Sequence, residues 1–171
     1  MSPNNHPQGL HLTTLLINTY NPAITFFTET LNFTLIEDSP STTNTGEPKR
    51  WVVVQPLYSP FPADSSSQAE DHAQEKSESG STSGGSSGGG GASLLLAEAS
   101  TAEQSALVGR QFGGRVGFFW RVDDFQRTYG RLVERGVEFV DGPRTEVYGT
   151  VAVFRDCVGN LWDLLGSAGF N

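Results

Sequence analysis

The first part of the chain contains several short apolar runs and one segment with helical periodicity. Asn21 followed by Pro22 is typical of a helix start, and apolar residues at three- and four-residue steps predict a helix over about 22–31. Asn32 stands where a helix commonly ends in left-handed geometry. Residues 39–48, rich in Ser, Thr, Pro and Gly, indicate a loop. The remaining apolar runs predict strands at 10–17, 33–36, 50–55 and 93–98.

The same order of elements is predicted again after a short linking helix at 101–110. Asp123 or Asp124 caps a helix that ends before Gly136, and residues 141–143 form a turn. The four strands lie at 115–122, 137–140, 149–155 and 161–165. The pattern therefore predicts an α+β fold of two βαβββ units, whose bent mixed half-sheets surround a shared cleft.

A polar tract, residues 62–92, interrupts the first unit. It consists mostly of Ser, Gly and acidic residues, and it cannot repay the ~1–2 kcal/mol per residue that backbone ordering costs. We expect a disordered insert that is inert, with a regulatory or interaction role as the alternative. The predicted organisation is a flexible N-terminus (1–9), one domain (10–166) and a tail (167–171). Within the domain, unit one covers 10–98, a linker 99–113 and unit two 114–166.

Charge and composition narrow the range of partners. The formal net charge is −8 and the pI is about 4.7, whereas a nucleic-acid surface needs clustered Lys and Arg. The single cysteine, Cys157, excludes an intrachain disulfide, and we expect its thiol to be passive. The N-terminal residues do not resemble a signal peptide, and no apolar run reaches the roughly 18 residues of a membrane helix. The sequence therefore favours a cytoplasmic protein that contacts neither nucleic acid nor membrane.

Three motifs, in matching order and spacing, resemble signature segments of the vicinal-oxygen-chelate superfamily, the glyoxalase/bleomycin-resistance/extradiol dioxygenase proteins. They are Phe26-Phe27 followed by Leu31-Asn32-Phe33, then Arg121-Val122-Asp123-Asp124, and the turn Asp156-Cys157-Val158-Gly159-Asn160-Leu161. The first departs from the family pattern, because Asn32 replaces the usual glycine. The resemblance covers residues 10–166 apart from the insert and is nearest to the glyoxalase-like branch.

The resemblance implies a divalent metal held by His, Gln or Glu side chains from the first and last strand of each unit. The corresponding positions here are Leu12, Ala97 or Glu98, Gly117 and Asp163. Such a set suits zinc, iron or nickel poorly, so we expect no metal cofactor. A one-residue slip that turned His11 inward, to join Glu98 and Asp163, is the sole arrangement that would restore a divalent-metal site.

A cleft without a metal must act through shape and a few polar groups. Strand alternation puts Phe119 and Arg121 on the face of the fifth strand that looks into the cleft. Asp163 lies on the last strand, with Trp51 and Tyr148 expected nearby. This set predicts a site for a carboxylate or a planar oxygenated ligand, with Asp163 as a base. A structural Arg121–Asp163 ion pair is the equally weighted alternative.

Two classes of function follow from the resemblance. The first is a glyoxalase-like enzyme, a lyase, isomerase or dioxygenase, that acts on a small oxygenated molecule in the cleft between the units. The second is a metal-free protein that sequesters its ligand without turnover, as bleomycin-resistance relatives do. Because relatives are often dimeric, the resemblance also leaves a homodimer open, with the units paired within one chain or by exchange.

Overall fold

The computed structural model describes residues 10–57 and 92–166. Unit one contains β1 (Leu12–Ile17), α1 (Tyr20–Thr25) with a π-helical turn (Phe26–Thr30), β2 (Thr34–Thr42), β3 (Pro48–Gln55) and β4 (Ser93–Glu98). Unit two contains β5 (Val116–Val122), α3 (Phe125–Glu134), β6 (Phe139–Glu146), β7 (Gly149–Arg155) and β8 (Leu161–Gly166). The linking helix is α2 (Ala102–Leu107). The predictions for residues 1–9, for the insert up to position 91 and for the tail 167–171 lie outside the described residues.

Each unit forms one four-stranded mixed sheet with the same topology. The strand orders are β1-β4-β3-β2 and β5-β8-β7-β6. In both, the first strand runs parallel to the last, and the other neighbours are antiparallel. The predicted α+β fold of two βαβββ units is thus confirmed.

One hydrophobic core joins the two units. Phe27, at the end of the first helix, lies 5.9 Å from Trp162 of β8, measured between ring centroids. Phe33 lies 5.2 Å from Trp120 of β5 and 6.2 Å from Trp162. Because these contacts cross between the units, the part of the chain that the structure describes shares a single core.

Each sheet has a core face and an opposite face, as strand alternation requires. We call the side that contributes to the shared core the core face. On the opposite face of unit one the registers place Leu12, Thr14, Leu16, Trp51, Val53, Leu95 and Ala97. On the opposite face of unit two they place Phe119, Arg121, Asp141, Arg144, Val151, Val153, Asp163 and Leu165.

Two predicted irregular segments contain strand residues. The loop predicted at 39–48 is confined to residues 43–47, because β2 continues to Thr42 and β3 begins at Pro48. The turn predicted at 141–143 is wrong, since these residues lie within β6. Both β2 and β6 are edge strands, where a proline removes no ladder hydrogen bond, and register shifts in β6 absorb the irregular residues.

The first helix starts earlier than predicted and ends where predicted. It begins at Tyr20, with Thr19 in the capping position and without a side-chain capping bond. Asn21 instead accepts a hydrogen bond from Arg50 at 2.7 Å. Asn32 has φ 63°, the left-handed geometry expected at the helix end. In the second unit Asp124, of the two candidates, caps α3 by accepting from the backbone N–H of Arg127.

None of the helices within the described ranges combines the length and apolarity needed to cross a bilayer.

Candidate functional site

Asp163 lies at the centre of the opposite face of unit two. It is 9% exposed and pairs across the sheet with Phe119 on β5 and Val153 on β7. Asp141 on β6 pairs in turn with Val153, so these four residues form one row across the sheet. The Phe119 ring is 66% exposed. A buried carboxyl group therefore lies beside an accessible aromatic ring.

The Asp163 carboxyl group lacks part of its hydrogen bonding. Its Oδ1 atom is buried and has no partner among the residues that the structure describes. Burial raises the pKa of Asp163, Arg144 lowers it and Asp141 raises it. Arg144 is itself paired with Asp141 and, at 3.0 Å, with Glu146. The charge of Arg144 is therefore shared, and the protonated form of Asp163 is favoured relative to an exposed aspartate.

Two arginines flank Asp163 in the adjacent row. Arg144 pairs with Val151 on β7, and Arg121 on β5 pairs with Leu165 on β8. The arginine that acts on the pKa of Asp163 is Arg144, and Arg121 is not among the charged groups that shift it. Arg144 forms its ion pairs with Asp141 and Glu146, and the Arg121–Asp163 ion pair considered from the sequence stays a prediction.

The other two proposed ligand contacts lie outside the row of paired strand residues that contains Asp163. Trp51 belongs to the opposite face of unit one, where it lines a cavity of about 460 Å³ together with Leu16, Ala97 and Glu98. Tyr148 lies between β6 and β7 and is 54% exposed. The structure thus gathers Phe119, Arg121 and Asp163 on one face and places Trp51 in the other sheet.

Sequence reasoning missed Asp141 and Arg144 as neighbours of Asp163. Asp141 was assigned to a turn, and Arg144 follows that turn directly, so neither was placed on a strand. Charged residues at alternate positions, such as Arg144 and Glu146, are a signal for an edge strand that could have indicated them.

The residues at the family's metal positions do not fit a metal. Leu12 offers no donor, and a Cβ atom at Gly117 would lie 2.2 Å from the Phe112 ring, so a ligating side chain has no room there. His11 precedes β1, whereas Glu98 pairs with Ile17 at the other end of that strand, roughly 20 Å away. Across residues 10–57 and 92–166, no group of three His, Cys, Asp or Glu side chains could hold a metal ion.

The third sequence motif has a structural role. Asp156 is 6% exposed. Its Oδ1 atom accepts from the backbone N–H groups of Val158, Gly159 and Asn160 at 2.8–3.0 Å. Its Oδ2 atom accepts from the Asn160 side chain at 3.1 Å and from the Trp162 indole at 3.0 Å. The turn therefore fixes Trp162 in the core and, next to it in the chain, Asp163 on the opposite face.

Cys157 follows Asp156 in this turn. Desolvation by the surrounding chain, with the neighbouring Asp156 charge, raises the pKa of its thiol to about 12. Although the residue reaches the surface, its thiol is protonated at neutral pH, which agrees with the passive role expected from the sequence.

Comparison with known proteins supports the family resemblance. The family model described as the glyoxalase/bleomycin resistance protein/dioxygenase superfamily matches residues 9–164. An uncharacterized protein from Shewanella frigidimarina (strain NCIMB 400) is 42% identical over 151 residues, which are 88% of this chain and 87% of that protein.

Solved structures share the fold. UcmS2 superposes with a TM-score of 0.62 and 22% identity, covering 94% of this chain and 98% of its own. TnmS3, an antibiotic binding protein from Streptomyces sp. CB03234, gives a TM-score of 0.60 and 24% identity, with 95% and 98% covered. At these identities the likeness concerns the fold alone. Together with the family match over nearly the whole sequence, it leads to one assignment: the chain belongs to the glyoxalase/bleomycin resistance protein/dioxygenase superfamily.

Proposed function

We propose that the chain binds a small, planar, oxygenated organic molecule on the opposite face of unit two, without a metal. The observation that carries this proposal is the buried, unpartnered Oδ1 atom of Asp163 beside the exposed Phe119 ring. A buried polar atom without a hydrogen bond costs about 1–3 kcal/mol. A ligand hydroxyl or carbonyl group that pairs with Asp163 recovers that energy.

The neighbouring groups define the ligand chemistry. The Phe119 ring offers a stacking surface, worth roughly 0.5–1.5 kcal/mol beyond area burial for a good aromatic pair. The raised pKa of Asp163 increases the share of its protonated form, which donates to a ligand carbonyl oxygen. Its ionised form accepts from a ligand hydroxyl group. Arg121 and Arg144, in the adjacent row, favour ligands that carry partial negative charge.

The structural relatives support binding as the first candidate. TnmS3 is an antibiotic binding protein, and this chain has a similar fold with no metal-ligand set in its described residues. Sequestration needs only a complementary surface, whereas the superfamily's Lewis-acid chemistry needs a metal that Leu12 and Gly117 cannot hold.

The raised pKa of Asp163 favours one second candidate, catalysis of proton transfer. A carboxyl group whose pKa is shifted upward toward the working pH is a better general base or acid than an exposed aspartate. In this alternative Asp163 removes a proton from a bound hydroxyl or activated C–H group, as in an isomerase or lyase.

Fluorescence anisotropy of 7-hydroxycoumarin, a planar oxygenated probe, tests the site. We expect Asp163→Leu and Phe119→Ala each to raise Kd at least tenfold. Thr14→Ala, an exposed position on the opposite face of unit one, is the matched control and should leave Kd unchanged. Equal affinity in all four proteins would rule out this site.

Turnover separates the two candidates. Probe and protein are mixed in equal amounts and the probe is followed by liquid chromatography and mass spectrometry. Binding alone leaves the probe intact. Chemical conversion that is lost in Asp163→Asn would favour the proton-transfer enzyme.

We also propose that two chains pair over unit two and complete the site. Three residues that follow or line this face are unusually exposed for apolar side chains: Phe119 at 66%, Val147 at 98% and Tyr148 at 54%. Val147 and Tyr148 are neighbours in the chain and together expose apolar surface, which is typical of an interaction site. Light scattering after gel filtration should give twice the 18.4 kDa chain mass, and a mass of one chain at micromolar concentration would contradict pairing.

A further inference from the structure

A second cavity, of about 690 Å³, lies between the two units beside the edge strand β5. Leu31 and Asn32 of unit one contribute to its wall, and so does α3 of unit two. Four arginines line it: Arg121, Arg127, Arg131 and Arg135. The last three recur at four-residue steps on α3 and at its end, so they form one stripe along the helix. We call this cavity the arginine crevice.

Arg131 is fixed in place at the centre of the stripe. Its Nη1 atom donates to the carbonyl oxygen of Thr30, and its Nη2 atom lies 3.5 Å from that of Leu31. These carbonyl groups end the first helix, where a cation is favoured by the helix dipole. Burial lowers the pKa of Arg131, and the charges of Arg135 and Arg127 lower it further. The three guanidinium groups are therefore close enough to repel one another.

Three acids line the crevice against four arginines, so positive charge is in excess there. The ion pairs between described residues engage Arg50, Arg144 and Arg155, and none of them engages Arg127, Arg131 or Arg135. Among the acids that line the crevice, Asp124 is occupied as the cap of α3, while Glu29 and Asp123 stand at its wall. Four of the eleven basic residues of a chain with net charge −8 thus meet in one cavity.

Apolar side chains form another part of the lining. Leu57, Trp120 and the side of Phe119 contribute carbon surface to the same cavity. A volume of this size lies within the range typical of small-molecule sites, and such sites combine an apolar wall with a few convergent polar groups. Guanidinium groups recognise carboxylate and phosphate through paired N–H donors.

We propose that the arginine crevice binds a small organic anion, a carboxylate or phosphate with an apolar portion. The anionic group lies between Arg127 and Arg135, where it relieves their repulsion with Arg131, and the apolar portion contacts Trp120 and Leu57. The inference does not rest on the function proposed for Asp163, although Phe119 and Arg121 stand at the border of both sites.

Isothermal titration calorimetry with phenyl phosphate at low ionic strength tests the crevice. We expect binding by the full chain and at least a tenfold higher Kd in the double variant Arg127→Gln/Arg135→Gln, which keeps Arg131. The double variant Arg110→Gln/Arg115→Gln removes the same charge from two exposed arginines outside the crevice. It should bind almost as tightly as the natural chain. Benzyl alcohol, which lacks the anion, should not bind.

Each other outcome overturns the proposal. Equal weakening in both double variants would mean attraction by overall charge. Comparable binding of benzyl alcohol would mean that the arginines contribute nothing. If Asp163→Leu abolished phenyl phosphate binding while Arg127→Gln/Arg135→Gln did not, the anion would occupy the Asp163 site alone. If the intact chain failed to bind and only a chain lacking 63–91 did so, the arginines would serve the protein's own acidic segment.

Discussion

The two units repeat one topology, yet their opposite faces differ in chemistry. In unit one the centre of the face carries Thr14, Leu16, Leu95 and Ala97, and its charged residues, Glu37 and Lys49, lie on β2 and at the start of β3. In unit two the face carries a buried carboxyl group, Asp163, between two arginine-bearing strands. The core faces of both remain apolar. Packing thus constrains one face of each repeat, and the other face is where the units differ in the chemistry they offer a ligand.

The connection before the last strand is the second difference. In unit two, five hydrogen bonds to Asp156 organise the turn between β7 and β8. In unit one, the polar insert separates Gln55 from Ser93 at the same topological place. Because the parallel pairing of β1 with β4 matches that of β5 with β8, the sheet does not require a tight turn there. The tight turn instead serves to position Trp162 and Asp163.

The largest effect is expected at this turn. Asp156→Ala removes five hydrogen bonds and leaves buried donors unpaired, which should lower the free energy of unfolding by about 3–5 kcal/mol. Asp156→Asn retains one acceptor oxygen and should lose less. Urea denaturation monitored by tryptophan fluorescence measures both changes. Asp123→Ala, at an exposed position, is the control, and a loss below 1 kcal/mol for Asp156→Ala would show that the turn does not anchor unit two.

The next largest loss of stability is expected where Arg131 of unit two bonds to unit one. Arg131→Ala removes the donors that satisfy the carbonyl groups of Thr30 and Leu31, so we expect a loss of about 1–3 kcal/mol. Arg135→Ala, one turn further and exposed, is the matched control with the same charge change. Equal stability of the two variants in urea denaturation would mean that Arg131 does not hold the units together.

The sequence predicted the repeated core better than the site. Apolar periodicity identified β4 and β7 at their observed bounds, because buried strands leave a clear pattern. Edge strands leave no such clear pattern, so β2 was predicted to end at Ile36 and β6 at Val140. The error in β6 hid Asp141 and Arg144, since their proximity to Asp163 depends on bulged pairing that local sequence does not encode. Trp51 lies in the other sheet, and local sequence does not encode how the two sheets pack.

A smaller effect tests whether unit one needs its insert. Deleting 63–91 shortens the connection between β3 and β4, and chain-entropy scaling predicts a gain of about 1 kcal/mol in the free energy of unfolding. The circular dichroism spectrum of the remaining strands should keep its shape. A loss of stability would mean that these residues contribute contacts to the fold, in contrast to the turn of unit two.

The smallest change is expected for Asp163→Asn at low pH, where the carboxyl group is protonated and the amide has nearly its shape. The informative quantity is the pH dependence. Burial raises the folded-state pKa of Asp163 above its ordinary value of 3.8. Well below that value the Asp163 carboxyl group is protonated in both the folded and the unfolded state, so it does not change the free energy of unfolding. As the pH rises above it, the unfolded chain ionises first, so the folded state loses stability until the folded-state pKa is passed.

The natural chain should therefore lose stability relative to Asp163→Asn as the pH rises from 4 to 7, when both are unfolded in urea. Arg144→Gln should steepen this loss, because the arginine charge now opposes the effect of burial on the pKa. Thr14→Ala, on the opposite face of unit one, should follow the natural chain at every pH. If the natural chain instead gained stability relative to Asp163→Asn, the carboxylate would be paired in the folded state, and the chemical contrast between the two faces would rest on an ion pair instead of an unpaired acid.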